Sequence, residues 1–143
     1  LCHKAFSKIN LGSETVLTPH PGEAAEMLKI SVKDIQKNRI ESAKALQKKY
    51  GCIIILKGNG TIICNKHDIY LCSSGGPELA VAGSGDILSG IIGSLIAQGL
   101  TPFDAAKTGV VIHSLAGGDF ANDVGKIGLA AGELIPYIRK FLN

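Results

Sequence analysis

Five consecutive residues, Cys52-Ile53-Ile54-Ile55-Leu56, contain no polar side chain. A strand that faces water on one side alternates apolar and polar positions, so a run without alternation must be covered on both faces. Such a strand belongs inside an open α/β sheet, with helices on its faces and a neighbour on each edge. The flanking sequence fits that frame. Residues 15–18 form a short apolar run stopped by Pro19, which predicts a strand ending in a loop, and His20-Pro21-Gly22-Glu23 opens a helix to Leu28. Ser31 is placed to cap a further helix with Asp34 at the capping-box position; its stripe is Ile35, Ile40, Ala43 and Leu46, and Gly51 ends it. After the apolar run come a tight turn at residues 57–60, a returning strand at 61–64, a turn at 65–68, a strand at 69–71 and a loop at 73–77.

The second half reads as helical. Val81-Ala82-Gly83-Ser84-Gly85-Asp86 leads into a predicted helix over residues 87–98, with large apolar side chains around much of its circumference and a strip of small residues at Gly90, Gly93 and Ala97. That pattern predicts a buried helix lying close against its neighbours. Pro102 opens the next helix, to about Phe120, and a final amphipathic helix is expected over residues 129–141. His113 falls inside the helical pattern and reads as a packing or partly buried polar residue. With 143 residues, 45% of them hydrophobic and 19% charged, the chain is expected to form one folded domain over residues 1–143. Its 18 glycines gather at turns and follow no period, which excludes collagen-like and solenoid folds.

Charge and cysteine usage narrow the functions. The net charge is +3, and the basic residues lie mainly along Lys29–Lys49, where they read as a solvated helix face; with no Trp to stack bases, nucleic acid is not an expected partner. Cys2, Cys52, Cys64 and Cys72 lack paired metal-ligand spacing, so no protein metal centre is expected, and Cys52 and Cys64 read as buried thiols of a reducing compartment. The longest uncharged apolar stretch, Ile87 to Leu100, is too short and glycine-rich to span a bilayer, and residues 1–8 do not have the pattern of a secretory leader. No membrane association and a cytoplasmic location are the expectation.

Three segments carry chemistry. Gly83-Ser84-Gly85-Asp86 enters a helix, whose first backbone N–H groups are unpaired and electropositive, and glycines let a phosphate approach them closely. Gly83, Ser84 and Gly85 are therefore the candidate anion hole. Asp86 would repel a simple anion, but it fits a base beside a substrate hydroxyl while the N–H groups hold a transferring phosphoryl group; its structural alternative is a plain helix cap. Lys57-Gly58-Asn59-Gly60-Thr61 follows the buried strand, where open α/β sheets collect ligands. It is not a P-loop, and a simple hairpin turn is the alternative. In Thr18-Pro19-His20-Pro21-Gly22-Glu23 two prolines stiffen the loop around His20, while Glu23 reads as a helix-start charge. His3, His67 and His113 form no constellation.

In order along the chain, residues 18–23, residues 57–61 and Ala82-Gly-Ser-Gly-Asp-Ile-Leu-Ser-Gly-Ile-Ile92 resemble the successive signatures of the ADP-dependent NAD(P)H-hydrate dehydratases, the YjeF carboxyl-terminal or carbohydrate-kinase-like domain. Residues 111–117 and 128–132 continue the likeness over nearly the whole chain. The resemblance implies a ribokinase-like α/β fold with a central, mostly parallel sheet flanked by helices. It implies ADP-dependent dehydration of the S epimer of NADHX or NADPHX, with ADP converted to AMP and phosphate and Mg2+ assisting. Carried over, His20 and Asp86 would contact the hydrated cofactor, and Asp86 would also be the catalytic base. Lys57, Gly58, Asn59, Gly60, Thr61 and Gly85 would surround the nucleotide. Ser84 stands where many relatives have Thr, and Ala82 replaces a frequent Gly.

The family domain is roughly twice this length, so the resemblance covers a carboxyl-terminal portion and lacks the first strands and substrate loops. An unpaired sheet edge and exposed apolar surface are then expected. The chain is expected to need a separate amino-terminal half or self-association as a homo-oligomer, and to be impaired as an enzyme by itself. Two alternatives stay open: a small-molecule kinase of the same superfamily, and a non-catalytic nucleotide-binding remnant or interaction module.

Overall fold

In the computed structural model, which describes residues 11–142, the apolar run forms a strand buried along its whole length. The expectations for Cys2 and His3 lie outside the described residues. The chain divides into two compact units between Leu71 and Cys72. Strands β1 (Val16–Leu17), β2 (Ile53–Leu56), β3 (Thr61–Cys64) and β4 (Ile69–Cys72) form one four-stranded sheet in that order. Strand β1 is parallel to β2, with Val16 opposite Ile53 and Leu17 opposite Ile54. Strand β3 returns antiparallel, with Ile55 opposite Ile63, because the connecting turn is far too short for a parallel crossover. The described sheet is thus mixed.

Three helices connect β1 to β2: α1 (Pro21–Leu28), α2 (Val32–Lys37) and α3 (Arg39–Tyr50). Their apolar residues Ala24, Ala25, Met27, Ile35, Ala43, Leu46 and Tyr50 share one core with Cys52, Ile54, Leu56, Ile62 and Cys64. Successive strand side chains point to opposite faces, so alternate residues of the 52–56 run meet this helical layer. The intervening Ile53 and Ile55 are no more than 4% exposed, as a doubly covered strand requires. The single helix expected between Ser31 and Gly51 is two. Asn38 leaves helical geometry at φ −131° and ψ 53°, and α3 restarts at Arg39. The break changes the phase of the stripe: Ile40 is exposed, and Ala43, Leu46 and Tyr50 face inward. Strand β2 is paired on both edges, and the apolar surface left open in this unit includes Ile69, Tyr70 and Leu71 of β4.

The second unit contains a 3-10 turn at Pro77–Leu79, helix α4 (Ser84–Ala97), helix α5 (Pro102–Asp123), a 3-10 turn at Ala131–Glu133 and helix α6 (Leu134–Lys140). Helix α4 begins three residues earlier than expected, directly on the glycine turn. The final helix is shorter than expected and starts at Leu134; Pro136 is tolerated there because first-turn N–H groups have no intrahelical partner. Leu88, Ile91, Ile92 and Leu95 of α4 are buried, as are Ala105, Ala106, Gly109 and Val110 of α5, and the two helices pack closely. The small strip takes no part in this. Gly90, Gly93 and Ala97 are exposed, and a Cβ at Gly90 or Gly93 would meet nothing within 4 Å. The tight approach is at Gly109, where a Cβ would lie 2.7 Å from Ile92 Cγ1. Helix α6 joins α5 through the edge-on pair Phe120–Tyr137, with ring centroids 5.7 Å apart. No helix among the described residues is long and apolar enough to cross a membrane.

Gly109→Ala is expected to lower stability by about 1–3 kcal/mol through overpacking. Gly90→Ala, on the open side of α4, is expected to raise it by about 0.5–1 kcal/mol; urea unfolding measures both. Burial pushes the Cys52 thiol up to about 11 from its usual 9.0. The unfolded chain loses this proton first as pH rises, so stability is expected to fall between those two values. Native Cys52 is also expected to resist thiol reagents at neutral pH, which mass spectrometry after labelling would read.

Candidate functional site

The two loops that leave the parallel strands β1 and β2 emerge at the same end of the sheet, and a backbone hydrogen bond ties them: Lys57 N–H donates to the Pro19 carbonyl at 2.9 Å. The first loop turns at once into α1, with His20 as its N-cap. His20 Nδ1 accepts from Glu23 N–H at 3.1 Å, and Glu23 Oε2 accepts from His20 N–H at 2.7 Å. This is a capping box in which an imidazole replaces the usual hydroxyl. Gly22 lets the ring fold over the backbone, since a Cβ there would come within 2.9 Å of His20 Cε1. Because Nδ1 accepts, the ring carries its proton on Nε2, which lies 3.6 Å from Glu23 Oε2 on a half-exposed side chain. The cap also occupies the Glu23 carboxylate, in keeping with its reading as a helix-start charge.

The second loop is a compact turn. Gly58 and Gly60 adopt φ of 135° and 68°, a region that side chains disfavour. Thr61 Oγ1 donates to the Gly58 carbonyl at 3.1 Å and closes the turn, while Asn59 is exposed at its tip. Beneath it lies a group the sequence reading passed over. Arg39, the first residue of α3, donates from its guanidinium to the carbonyls of Leu56 at 3.1 Å and Gly60 at 3.0 Å, and to that of Lys57 at 3.4 and 3.5 Å. The lysines of the 29–49 stretch are exposed, as a solvated face requires, whereas Arg39 turns inward. The available signal was its being the single arginine in that run of lysines.

In the second unit, Gly83 stands at φ 84° immediately before α4, and Asp86 lies exposed in the first helical turn. Among the first helical amides, Ser84 N–H donates to Val81 O at 3.3 Å and Asp86 N–H to Gly83 O at 3.0 Å. The Ser84 hydroxyl points away from solvent. It and the Ser84 carbonyl each lie 3.1 Å from Nε2 of His113 on α5. A carbonyl only accepts, so Nε2 of His113 carries the proton. Both side chains are buried. His113 is therefore a buried polar residue, as read from the sequence, and it also braces the first residue of the candidate anion site. Among the described residues no three His, Cys, Asp or Glu side chains gather as a cation site.

The chain has a ribokinase-like fold. A ribokinase-like superfamily protein from Enterococcus faecalis, 27% identical, matches 96% of this chain and 50% of its own with a TM-score of 0.77. The chain belongs to the NAD(P)H-hydrate dehydratase family, whose model matches residues 2–140. It is 46% identical over 129 residues to the bifunctional NAD(P)H-hydrate repair enzyme Nnr of Coxiella burnetii, covering 90% of this chain and 26% of that protein. It is 41% identical over 130 residues to the ADP-dependent (S)-NAD(P)H-hydrate dehydratase of Neisseria meningitidis, 44% of whose length it spans. The ADP/ATP-dependent NAD(P)H-hydrate dehydratase of Bacillus subtilis, crystallised with ATP and Mg2+, is 30% identical with a TM-score of 0.85; the match covers 92% of this chain and 51% of that one. The chain thus spans about a quarter of the bifunctional relatives and half of the solved enzyme.

His113→Leu is expected to destabilise the protein by about 1–3 kcal/mol, because it leaves the buried Ser84 hydroxyl without its partner. His113→Gln, which restores a donor at similar reach, is expected to recover part of the loss, as thermal unfolding of the two variants would measure.

Proposed function

We propose that this chain carries the nucleotide-binding and catalytic part of an ADP-dependent dehydratase that restores NAD(P)H from (6S)-NADHX or NADPHX. The observation that carries the reading is the bond joining the His20 loop to the Lys57 turn, 2.9 Å from Lys57 N–H to Pro19 O. It sets a hydrogen-bond donor and a glycine-rich turn side by side at the strand ends, in a chain whose relatives include an enzyme named for ADP and this hydrate. In this reading the turn Lys57, Gly58, Asn59, Gly60 and Thr61 binds the adenine nucleotide, and Gly85 is a further nucleotide-binding position. The His20 Nε2–H is offered to the hydrated nicotinamide. Gly83, Ser84 and Gly85 form the anion hole, to which Gly83 and Gly85 contribute backbone amides, while the Ser84 N–H is engaged by Val81 O and its side chain is held inward by His113.

Asp86 is the base. Its exposed carboxylate takes the proton of the hydrate hydroxyl as that oxygen attacks the terminal phosphorus of ADP, and AMP leaves. The carbon–oxygen bond then breaks with phosphate departing, and the neighbouring ring carbon gives up a proton to form the double bond. Phosphorylation is useful because phosphate leaves far more readily than hydroxide. Mg2+ would suit the reading as an ion carried on the nucleotide phosphates, where it would offset their negative charge. Family similarity running from residue 2 to 140 supports treating both units as parts of one ribokinase-like domain. An amino-terminal half-domain, or a second copy of the chain, is the proposed partner that completes the hydrate pocket. Among the described residues, three buried cysteines outside any disulfide fit a cytoplasmic location.

The test follows NADH recovery from NADHX with ADP, using the chain alone and mixed with an amino-terminal half-domain. Asp86→Asn is expected to keep ADP affinity within about threefold while turnover falls by about 10²–10⁴. Nucleotide binding without turnover in every mixture would instead identify a non-catalytic module, and phosphorylation of a hydroxymethyl or sugar compound in its place would identify a kinase.

A further inference from the structure

We propose that Arg39 is the positioning residue of the nucleotide turn: its guanidinium grips the turn's backbone carbonyls from beneath and holds the loop in the shape that receives ADP. The inference rests on the nucleotide-binding reading given above. All five hydrogen bonds of the guanidinium go to neutral oxygens, four to the carbonyls of Leu56, Lys57 and Gly60 and one to Gln36 Oε1 at 3.0 Å. The fork therefore spans the turn, taking carbonyls from the end of β2 and from the residue just before β3. Gly58 completes the fit: its φ of 135° suits glycine, and a Cβ there would lie 2.9 Å from an Arg39 terminal nitrogen.

Two consequences favour an anion. Carbonyl oxygens repel phosphate, and here three are drawn onto a cation. The guanidinium also keeps its positive charge, because these partners are neutral, and it stays charged although burial lowers its proton affinity. A lysine would supply charge as a single point but not the planar fork that bridges separated acceptors. The break at Asn38 makes the arrangement possible. By restarting the helix at residue 39, it puts Arg39 at the first position of α3, within reach of the turn.

The experiment compares Arg39→Met and Arg39→Lys in the full chain with wild type, by amide hydrogen exchange and by ADP calorimetry well below the unfolding temperature. Exchange at residues 58–61 is expected to rise at least about tenfold in Arg39→Met while the amides of β2 and β3 stay protected, and ADP affinity to fall about 10- to 100-fold. Arg39→Lys is expected to recover only a minor part of that affinity. Unchanged exchange at 58–61, or a uniform rise across the unit, overturns the proposal. Full recovery of affinity in Arg39→Lys also overturns it, since charge without the fork would then suffice. If wild type fails to bind ADP yet the turn alone loosens in Arg39→Met, the nucleotide reading falls and the positioning of the turn by Arg39 stands.

Discussion

Parallel pairing between β1 and β2 obliges two loops to leave the sheet at the same end. The register of Val16 on Ile53 and Leu17 on Ile54 continues outward to Lys57 and Pro19, so the backbone ladder that stabilises the sheet also sets the spacing of the two loops. Everything assigned to the first unit follows from that geometry. The His20 cap leaves its imidazole half-exposed, and the Lys57 turn folds back into β3. The helices α1 to α3 exist to return the chain to a parallel partner. Burial of β2 on both faces makes the register strict, since a slip of one residue would exchange the side chains facing the helical layer.

The second unit applies the same economy with different chemistry. A glycine turn needs positive φ at Gly83, and a helix mouth so open lacks a side-chain cap of its own. His113 supplies bracing from α5 instead, one turn beyond Gly109, where α5 lies close against Ile92 further along α4. The exposed Asp86 carboxylate sits in the first turn of α4, where negative charge suits the helix start, and no side-chain hydrogen bond among the described residues occupies it. That contrasts with Glu23, Ser31 and Thr101, whose polar groups are occupied at helix starts.

Much of this was legible in the sequence because it rests on local rules. The unbroken 52–56 run announced a doubly covered strand, the glycines at 58, 60 and 83 announced turns, and proline followed by an acid announced α1. What escaped depended on partners distant along the chain. The strip at Gly90, Gly93 and Ala97 looked like a contact surface, but small residues allow close approach without requiring it, and the contact falls at Gly109. The break at Asn38 left no helix-breaking residue to read. Arg39 was hidden among solvated lysines because nothing local says that three carbonyls will gather 17 to 21 residues further on. The candidate site segments were legible as helix starts and turns, the resemblance supplied their ligands, and the hydrogen bonds supply reasons for individual members, such as the tautomer of His20.

Strand β4 has a consequence for handling the protein. Ile69, Tyr70 and Leu71 are each at least 40% exposed at the rim of the sheet, and a short stretch of strong β-formers in that position templates intermolecular ladders. Lys66 and Asp68 stand just before it and place charge at one end, a common natural safeguard against self-association, while Ser73 and Ser74 give no such protection at the other. Solubility of the isolated polypeptide should therefore be governed less by its buried core than by three side chains on a rim.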